Sequence, residues 1–294
     1  MGSFSIDPLK EHNLGIFTST DFGLLERINA GESIPFEELT KGLDPITQAT
    51  LSHGGLLRFS KSRLDGMVRV DLPRTQAETG GSQGPVKMTY AQKIIARHIS
   101  ISPKQAPVTL ASIRTGDGVF VRADWRFSHE YVTGMAESFV RKEFGDDFTI
   151  SNPAPVITFR DHLVYLREVL KDESLLKEAD NLANAQHAFC AKHGIKLHGE
   201  ISQGTGSEGI CHSIMLERYA RPGQVVIGTD SHTPHSGALG CLAFGVGTSD
   251  MASAWLSGDV HISTPPTGLV RISGSLSPWV SAKDIALHIL GLPD

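Results

Sequence analysis

Acidic and imidazole side chains follow apolar, β-branched runs at several points along this sequence. Such a run is typical of a buried strand, so the polar residues after it mark the end of that strand. The carboxyl ends of neighbouring parallel strands meet at one edge of a sheet, about 5–10 Å apart, and ligands bind at that edge. The groups concerned are Ser128-His129-Glu130, Arg160-Asp161-His162 and Thr229-Asp230-Ser231-His232, with a further imidazole, His212, at the start of a helical segment.

Together these side chains could transfer protons at neutral pH. Histidine titrates in that range, and an adjacent carboxylate can set which ring nitrogen carries the proton. Each residue taken singly has a simpler explanation, because polar groups at a strand end often cap the next helix or bond the backbone. We assign that structural explanation to most of the other histidines and leave His235, beside the central motif, open.

The surrounding pattern alternates between strands and helices. Apolar runs predict strands over 118–124, 155–159, 195–198, 225–228 and 270–274. Helical periodicity and capping residues predict helices over 91–98, 133–144, 173–193, 210–220, 248–256 and 282–290. This alternation is typical of a parallel sheet covered by helices. The expected fold class is therefore α/β, a three-layer α/β/α arrangement with a mostly parallel sheet.

Composition divides the chain into three stretches. Residues 1–70 form a small α/β unit, with an expected strand at 14–18 and helices at 20–28 and from 44 to about 54. Residues 71–87 are rich in glycine and proline, which indicates a linker. Residues 88–294 hold the larger α/β domain. The glycines between 237 and 247 match no phosphate-binding motif, so we interpret them as close backbone packing beside the site.

Charge and composition limit the classes of partner. The 294 residues carry a formal net charge of −5 without basic clusters, so no nucleic-acid partner is expected. No apolar run reaches the about 18 residues of a membrane span, and the first residues lack a signal-peptide pattern. The three cysteines, Cys190, Cys211 and Cys241, form no C-x-x-C pair. We expect a reduced, cytoplasmic protein and leave a mitochondrial location open.

Several motifs, in this order and spacing, resemble the aconitase and 3-isopropylmalate dehydratase (isomerase) superfamily. The resemblance runs from about residue 88 to the end of the sequence. Shorter motifs at 12–15, 44–46 and 54–57 resemble the end of the family's swivel domain, so residues 1–70 would be a swivel-domain remnant. The main resemblance rests on residues 88–95, 161–162, 209–212, 222–234, 237–240, 245–250 and 281–284.

The resemblance implies roles for individual residues. Asp161 and His162 resemble the pair that handles the departing or entering hydroxyl group, while His212 and Asp230 resemble groups that hydrogen-bond that hydroxyl and its water. His232 resembles the imidazole at the floor of the site. The catalytic candidates are therefore Asp161, His162, His212, Asp230 and His232, and the substrate-binding candidates are His129, Ser231 and Arg160.

The resemblance also implies a [4Fe–4S] cluster, but this sequence lacks the cysteines that would bind it. Family members hold the cluster through a Cys-Thr-Asn segment and a later C-x-x-C, both downstream of the matching region. Cys190, Cys211 and Cys241 do not occupy those positions. No cofactor is therefore expected from the cysteines of this chain. A mononuclear zinc or ferrous ion on His162, His212, His232 and an aspartate is an open alternative.

Two functional hypotheses follow. In the first, the chain is an aconitase-type lyase or isomerase that acts on a small polycarboxylate or hydroxy acid without a cluster. Asp/His acid–base chemistry would drive dehydration, hydration, isomerisation or decarboxylation, and Arg114, Arg122, Arg126 or Arg160 would stabilise the carbanion-like state. In the second, the chain is a truncated or split-subunit fragment of a cluster-dependent enzyme, inactive until a complementary subunit joins it. A homo-oligomer is also open.

Overall fold

The computed structural model describes residues 22–71, 87–202 and 205–292. Its helices are α1 (Phe22–Asn29), α2 (Phe36–Leu39), α3 (Pro45–Ser52), α4 (Leu56–Leu64), α5 (Tyr90–Arg97), α6 (Glu130–Phe144), α7 (Leu166–Val169), α8 (Glu173–His193), α9 (Cys211–Ile214), α10 (Thr248–Ser257) and α11 (Ala282–Leu290). Its strands are β1 (Gly118–Arg122), β2 (Trp125–His129), β3 (Val156–Phe159), β4 (Lys196–His198), β5 (Glu200–Ser202), β6 (Thr205–Ser207), β7 (Val225–Gly228), β8 (Leu242–Gly245) and β9 (Asp259–Ser263).

Five of the strands form a parallel sheet in the order β4-β3-β2-β7-β8. Every neighbouring pair in this sheet is parallel. Strand β2 lies at the centre, where His129 is opposite Phe159 of β3 and Phe127 is opposite Gly228 of β7. The carboxyl ends of these three strands therefore lie side by side, which confirms the predicted α/β class.

Both faces of the sheet are covered. Val225 and Ile227 pack into the core that includes residues of α6, α8 and α10, whereas Val226 packs into a second core with Ile157 and Met215. Because side chains of a strand alternate between its two faces, these cores lie on opposite sides of the sheet. The three-layer arrangement is thus confirmed, and no described helix has the length and apolar character to cross a membrane.

Helix ends follow the capping signals of the sequence. Thr89 begins α5 with a capping box, in which it accepts from the backbone of Gln92 and the Gln92 side chain accepts from Thr89. Gly194 ends α8 in the left-handed conformation, where it lacks the steric penalty of a Cβ. Helix α9 continues into a π-helical turn, Met215–Tyr219, within the segment predicted as one helix.

The N-terminal helices pack beside an antiparallel pair formed by β1 and β9. A buried ion pair joins the two regions, because both terminal nitrogens of Arg63 on α4 lie 3.0 Å from the Asp259 carboxylate on β9. These side chains are 1% and 0% exposed. The guanidinium also lies 3.4 Å above the centre of the Phe120 ring. The helices at 45–64 are therefore tied to the larger domain by charge as well as by apolar packing.

The division of the chain into swivel remnant, linker and catalytic part stays a prediction. The strand expected at 14–18 and most of the linker lie outside the described residues. Between residues 22 and 71, the described elements are the helices α1–α4. The predicted helices near 20–28 and 44–54 correspond to α1 and α3, and α4 follows directly after α3.

The strand predicted at 270–274 is wrong. Val270 and Ile272 are 54% and 63% exposed in a segment without regular structure. Their β-branched side chains produce a strand-like pattern, but a strand also needs a partner, and the described sheets offer none to this segment. The strand in this part of the chain is β9, which pairs with β1 outside the parallel sheet.

No bounds were predicted for two strands of the parallel sheet, β2 and β8, although Ser128-His129-Glu130, at the end of β2, was expected at a strand end. Arg126 and Ser128 interrupt the apolar pattern of β2, yet both are buried. Arg126 is accommodated because its guanidinium donates to the backbone carbonyls of Ser151, Asn152 and Ala254. Strand β8 lies in the glycine-rich stretch, whose composition indicates a turn. Both strands therefore depend on backbone contacts with residues that are distant in the sequence.

Replacing Asp259 with asparagine is expected to destabilise the fold strongly. The substitution leaves the Arg63 guanidinium buried without its counter-charge, which costs about 3–5 kcal/mol of the free energy of unfolding. Urea unfolding followed by circular dichroism measures the loss. Asp146→Asn is the matched control, because it breaks an exposed pair with Arg141 and should change the stability little. Equal losses for the two variants would contradict this role of the buried pair.

The stabilising effect of Asp44 is expected to depend on pH. Burial alone would raise the pKa of Asp44, but hydrogen bonds from His261 and Thr47 hold that pKa well below its usual range. The carboxylate therefore stabilises the fold fully above the unfolded-state pKa of about 4, and this contribution is lost as the pH falls below it. Asp44→Asn keeps the oxygen that caps α3 but removes the charge.

We expect Asp44→Asn to lower the free energy of unfolding at neutral pH by on the order of 1 kcal/mol, after allowance for solvent screening. The difference from the natural sequence should narrow as the pH is lowered from about 4. Urea unfolding of both proteins at several pH values measures this difference. A difference that stays constant down to acidic pH would contradict the assignment.

Candidate active site

The Asp230 carboxylate lies at the carboxyl edge of the parallel sheet and contacts three imidazoles. Its Oδ1 is 2.9 Å from His212 Nε2 and 3.1 Å from His232 Nδ1, and it accepts the His232 backbone N–H at 2.7 Å. Its Oδ2 is 3.2 Å from His162 Nε2. We call Asp230, His162, His212 and His232 the Asp230 cluster. It unites four of the five predicted catalytic residues.

The end of β7 places Asp230 through close backbone packing. A Cβ added to Gly228 would lie 2.3 Å from the Phe127 ring, and one added to Gly245 would lie 2.9 Å from the Asp230 carbonyl. Thr233 donates its hydroxyl to the same carbonyl at 2.6 Å and begins the 3₁₀ helix Thr233–Leu239. Gly228 and Gly245 thus allow the Phe127 ring and the Asp230 backbone to pack closely beneath the site.

Asp161, the fifth catalytic candidate, orients His162 from the side opposite Asp230. Its Oδ1 is 2.9 Å from His162 Nδ1, and its Oδ2 accepts the backbone N–H of Cys211 at 2.7 Å. The carboxylate thereby ties the end of β3 to the start of α9, which carries His212. His162 is held at both ring nitrogens, each by a different aspartate.

Glu130 anchors the segment that carries His162. Sequence reasoning placed Glu130 in a strand-end group but gave it no role of its own. Its side chain is fully buried and accepts backbone N–H groups from His162 at 2.8 Å and Leu163 at 2.7 Å, with a longer contact of 3.4 Å from Asp161. The signal in the sequence was a glutamate directly after a strand-end histidine, in the group Ser128-His129-Glu130.

Two aromatic rings next to Glu130 enclose His162. The imidazole of His129 stacks on that of His162, with ring centres 4.2 Å apart and planes inclined by 25°. The Tyr131 ring meets both imidazoles edge-on, at 5.7 and 5.8 Å. His129 is buried, and its Nδ1 has no hydrogen-bond partner among the described residues. The structure therefore places His129 against the imidazole of His162.

The surroundings shift the pKa values of these groups in opposite directions. Burial lowers the pKa of His162, but the hydrogen bond to Asp161 and the nearby carboxylate charges outweigh it, so the pKa is raised. Burial lowers the pKa of His212, and Asp230 offsets only part of this effect. Burial would raise the pKa of Asp230, but the His232 backbone and the imidazoles hold it well below its usual range. The cluster thus favours a charged His162 beside a neutral His212.

The two other substrate-binding candidates lie in different places. Ser231 is exposed at the rim, with its hydroxyl 3.3 Å from His232 Nδ1. Arg160 is buried, donates to Glu200, and lines a separate cavity of about 330 Å³ that also includes His187. No residue of the Asp230 cluster lines that cavity. Arg160, which was expected to bind the substrate beside the catalytic candidates, therefore lies apart from the Asp230 cluster.

The arginines expected to stabilise negative charge are bonded elsewhere. Arg122 donates to the backbone carbonyls of Ser257, Pro103 and Gln105, and Arg126 is buried among carbonyls as described above. Among the contacts of the described residues, none joins Arg114 to the Asp230 cluster. Among the described residues, the side chains that contact the Asp230 carboxylate are therefore imidazoles and not arginines.

The cysteines do not fit the ligand set of a [4Fe–4S] cluster. All three are buried, and burial raises the pKa of each thiol, which disfavours the thiolate that binds iron. Cys190 lies 3.0 Å from the Thr158 hydroxyl, and Cys241 donates to the Arg221 carbonyl. The groups of described residues that could share a metal ion contain no cysteine.

Two groups with metal-binding side chains do occur among the described residues. His212, Asp230 and His232 form one, and His129, Glu130 and His162 form the other. The mononuclear site expected on His162, His212 and His232 together is therefore divided between two groups, with Asp230 contacting histidines of both.

Comparison with known proteins places these residues in a family. A family model described as the aconitase family (aconitate hydratase) matches residues 126–293. The 3-isopropylmalate dehydratase large subunit 2 of Methanopyrus kandleri is 36% identical over 180 residues, which cover 61% of this chain and 41% of that protein. The 3-isopropylmalate dehydratase large subunit of Elusimicrobium minutum is 33% identical over 206 residues, which cover 69% and 43%.

A further relative is the aconitase–ribosomal protein bL21m fusion protein of Schizosaccharomyces pombe. It is 40% identical over 113 residues, which cover 38% of this chain and 12% of that protein. The chain thus spans less than half of the length of these curated relatives. The family match extends from β2 to the end of α11 and includes the whole Asp230 cluster. On the strength of this match, which covers more than half of its residues, the chain belongs to the aconitase family.

Proposed function

We propose that the chain carries the acid–base centre of an aconitase-type hydro-lyase that adds water to, or removes it from, a small hydroxy polycarboxylate. The observation that carries the proposal is the position of His162 between Asp161 and Asp230. The imidazole is 30% exposed at the edge of the sheet, so a ligand can reach it. No cysteine of this chain takes part.

The geometry supports a defined role for His162. In a dehydration, a base takes a proton from the neighbouring carbon, the C–O bond to the leaving hydroxyl breaks, and the hydroxyl needs a proton to leave as water. The His129 imidazole, which stacks on His162 and whose Nδ1 has no hydrogen-bond partner among the described residues, is the base proposed to take the proton from the carbon. His162 supplies the proton for the hydroxyl through Nε2, and it takes one from water in the reverse reaction. Asp161, bonded to Nδ1, keeps the ring oriented and stabilises its charged form, as a carboxylate does beside a catalytic imidazole.

The substrate class is inferred from the relatives. The Methanopyrus and Elusimicrobium proteins are named as 3-isopropylmalate dehydratase large subunits. We therefore propose a malate-like dicarboxylate with a hydroxyl group as the substrate. His129, stacked on His162, and Ser231, at the rim, are the residues proposed to contact it.

A second candidate function is that of a subunit that acts with a complementary polypeptide. After Thr264 no described residue is buried, although this segment carries several large apolar side chains. Trp279 is 94% exposed and Leu290 on α11 is 82% exposed. An exposed apolar surface of this extent is typical of a protein contact. The Methanopyrus and Elusimicrobium relatives are themselves named as large subunits, and this chain covers less than half of each.

His162→Ala is expected to reduce turnover of isopropylmalate or cis-aconitate at least about 100-fold, because it removes the general acid. The assay follows the absorbance of the conjugated double bond. The control is His235→Ala, which removes an exposed imidazole that lies 6.4 Å from His212 between ring centres. It should leave the rate unchanged.

The same assay separates the two candidate functions. The chain is tested alone and together with the part of the Methanopyrus relative that it does not match. Turnover by the chain alone supports a self-sufficient enzyme, and turnover only after the addition supports the subunit. Absence of turnover in both mixtures, for both compounds, would contradict the hydro-lyase proposal.

Glu130→Gln is expected to lower kcat about 10–100-fold while KM changes little, because Glu130 positions His162 and does not touch the substrate. The amide has one acceptor oxygen, and its NH₂ group would face the backbone N–H groups that Glu130 now accepts. Glu137→Gln, on the same helix and only partly buried, is the control. An equal change in KM for Glu130→Gln would contradict a positioning role, and thermal melts verify that both variants fold.

A further inference from the structure

We infer that Gln186, on helix α8, is a positioning residue that holds His129 and His162 against each other. Its side-chain NH₂ group donates to the Phe159 carbonyl at 3.0 Å and to the Thr133 hydroxyl at 3.3 Å. Phe159 ends β3, and Thr133 lies in the first turn of α6, directly after β2. One amide therefore joins the ends of the two strands that lead to these imidazoles.

The position of Gln186 on α8 is unusual for a polar side chain. The other buried residues of this helix are small or apolar, namely Ala179, Ala183, Phe189 and Cys190. Gln186 is itself fully buried. A buried amide costs free energy unless it is hydrogen-bonded, and an apolar side chain would avoid that cost. The two hydrogen bonds that Gln186 donates are therefore the property that this position uses.

The Thr133 hydroxyl connects Gln186 to β2. It donates to the His129 carbonyl at 2.9 Å, and it lies 2.9 Å from the Ser128 hydroxyl. A hydroxyl group has one hydrogen and two lone pairs. Because its hydrogen is donated to His129, the Thr133 oxygen accepts from both Ser128 and Gln186, which fills its hydrogen-bonding capacity. We call Gln186, Thr133 and Ser128 the Gln186 network.

Only one orientation of the Gln186 amide fits its partners. If the amide were rotated by half a turn, its Oε1 would face the Phe159 carbonyl oxygen, and two acceptors form no hydrogen bond. In the observed orientation, Oε1 is left without a partner among the described residues. Both hydrogens of the NH₂ group are thus engaged at the strand ends, and rotation of the amide would lose them.

Close packing of α6 against α8 brings Gln186 within reach of Thr133. A Cβ added to Gly134 would lie 3.2 Å from the Cβ of Ala185, which leaves little room for a larger residue there. These two residues directly follow Thr133 and precede Gln186 in the sequence. The contact between the helices therefore lies beside the hydrogen bond that it permits.

The stacking of His129 on His162 depends on the distance between these strand ends. His129 is the last residue of β2, and His162 lies three residues after the end of β3. Their ring centres are 4.2 Å apart. Glu130 holds the segment of His162 through its backbone N–H groups, whereas the Gln186 network holds the two strand ends. The two sets of bonds therefore restrain the pair of imidazoles from different positions.

Loss of the Gln186 network is expected to slow turnover, because a small displacement of acid–base groups lowers the rate steeply. This consequence rests on the proposed function, whereas the positioning of the two rings does not. Gln186→Met removes both donated hydrogen bonds but keeps a side chain of similar length. We expect kcat to fall at least about 10-fold and KM to change much less, since displaced acid–base groups affect the transition state more than substrate binding.

Substitutions of Thr133 test whether the hydroxyl carries the effect. Thr133→Val removes the hydroxyl and should lower kcat as Gln186→Met does, whereas Thr133→Ser keeps the hydroxyl and should retain kcat. The double variant with Gln186→Met and Thr133→Val should lose little more than either single variant, because both substitutions act on one network.

Phe189→Leu is the matched control for a general loss of stability. Phe189 is buried on the same helix and packs against the rings of Trp255 and His193, and neither of these belongs to the Gln186 network. The substitution should lower the melting temperature, because it leaves a cavity in the core, but kcat should stay unchanged. An equal loss of kcat in Phe189→Leu and Gln186→Met would contradict a specific positioning role.

Proton NMR of the histidines tests the positioning in the full chain without substrate. Burial and the neighbouring His162 lower the pKa of His129. Burial also lowers the pKa of His162, but the hydrogen bond to Asp161 and the nearby carboxylates raise it overall. In Gln186→Met and Thr133→Val, we expect the two pKa values to approach each other near the ordinary value of about 6.5. The His162→Ala variant identifies the His162 signal.

Unchanged pKa values of both His129 and His162 in Gln186→Met would overturn the inference, whether or not turnover is observed. If neither the chain nor its mixture shows turnover, the proposed function fails and the titration alone decides the positioning. If turnover occurs and Gln186→Met changes neither kcat nor the two pKa values, the inference fails and the proposed function stands. Thermal melts verify folding, and Thr133→Val with Thr133→Ser provides the same test if Gln186→Met unfolds.

Discussion

The parallel register of β3, β2 and β7 is the constraint on which the site depends. His129 at the end of β2 is opposite Phe159, the residue before Arg160 and Asp161, and Phe127 is opposite Gly228, two residues before Asp230. A shift of one residue in either pairing would send the strand's side chains to the other face. The opposite faces are filled by two separate cores, so the cost of such a shift is high. Apolar packing far from the site thus holds the strand ends in place.

Carboxylates that bond the backbone then connect these strand ends to one another. The Glu130 carboxylate accepts a backbone N–H group of the segment after β3, and the Asp161 carboxylate accepts one at the start of α9. The Asp230 carboxylate accepts the backbone N–H group two residues later in the chain. With the His212–Asp230 and His162–Asp230 contacts, these bonds form a closed ring around the site. A carboxyl group has several lone pairs, so it can accept backbone N–H groups and contact an imidazole at the same time. The imidazoles are therefore oriented by carboxyl groups on several sides.

The three cysteines of this chain do not belong to the groups of described residues that could share a metal ion. The family resemblance implies a [4Fe–4S] cluster, yet Cys190, Cys211 and Cys241 are buried with raised thiol pKa values. All three cysteines pack in the hydrophobic cores. The polar side chains of the Asp230 cluster, by contrast, meet one another within the described residues.

The sequence by itself determined the fold class, most helices, three of the five strands of the sheet and the identity of the Asp230 cluster. These features are local, because strand-end motifs, capping residues and apolar periodicity can be recognised from residues that are close together in the sequence. Only the tertiary structure set the bounds of β2, and only it decided that β8 is a strand, that 270–274 is not, and that Arg160 faces a separate cavity. It alone also gave Glu130 its role as the anchor of the segment that carries His162. Each of these outcomes depends on a partner distant in the chain, such as the carbonyls that accept from Arg126 or the N–H groups that Glu130 accepts. Such contacts produce no periodic pattern in the sequence, because they depend on how helices and strands pack against each other.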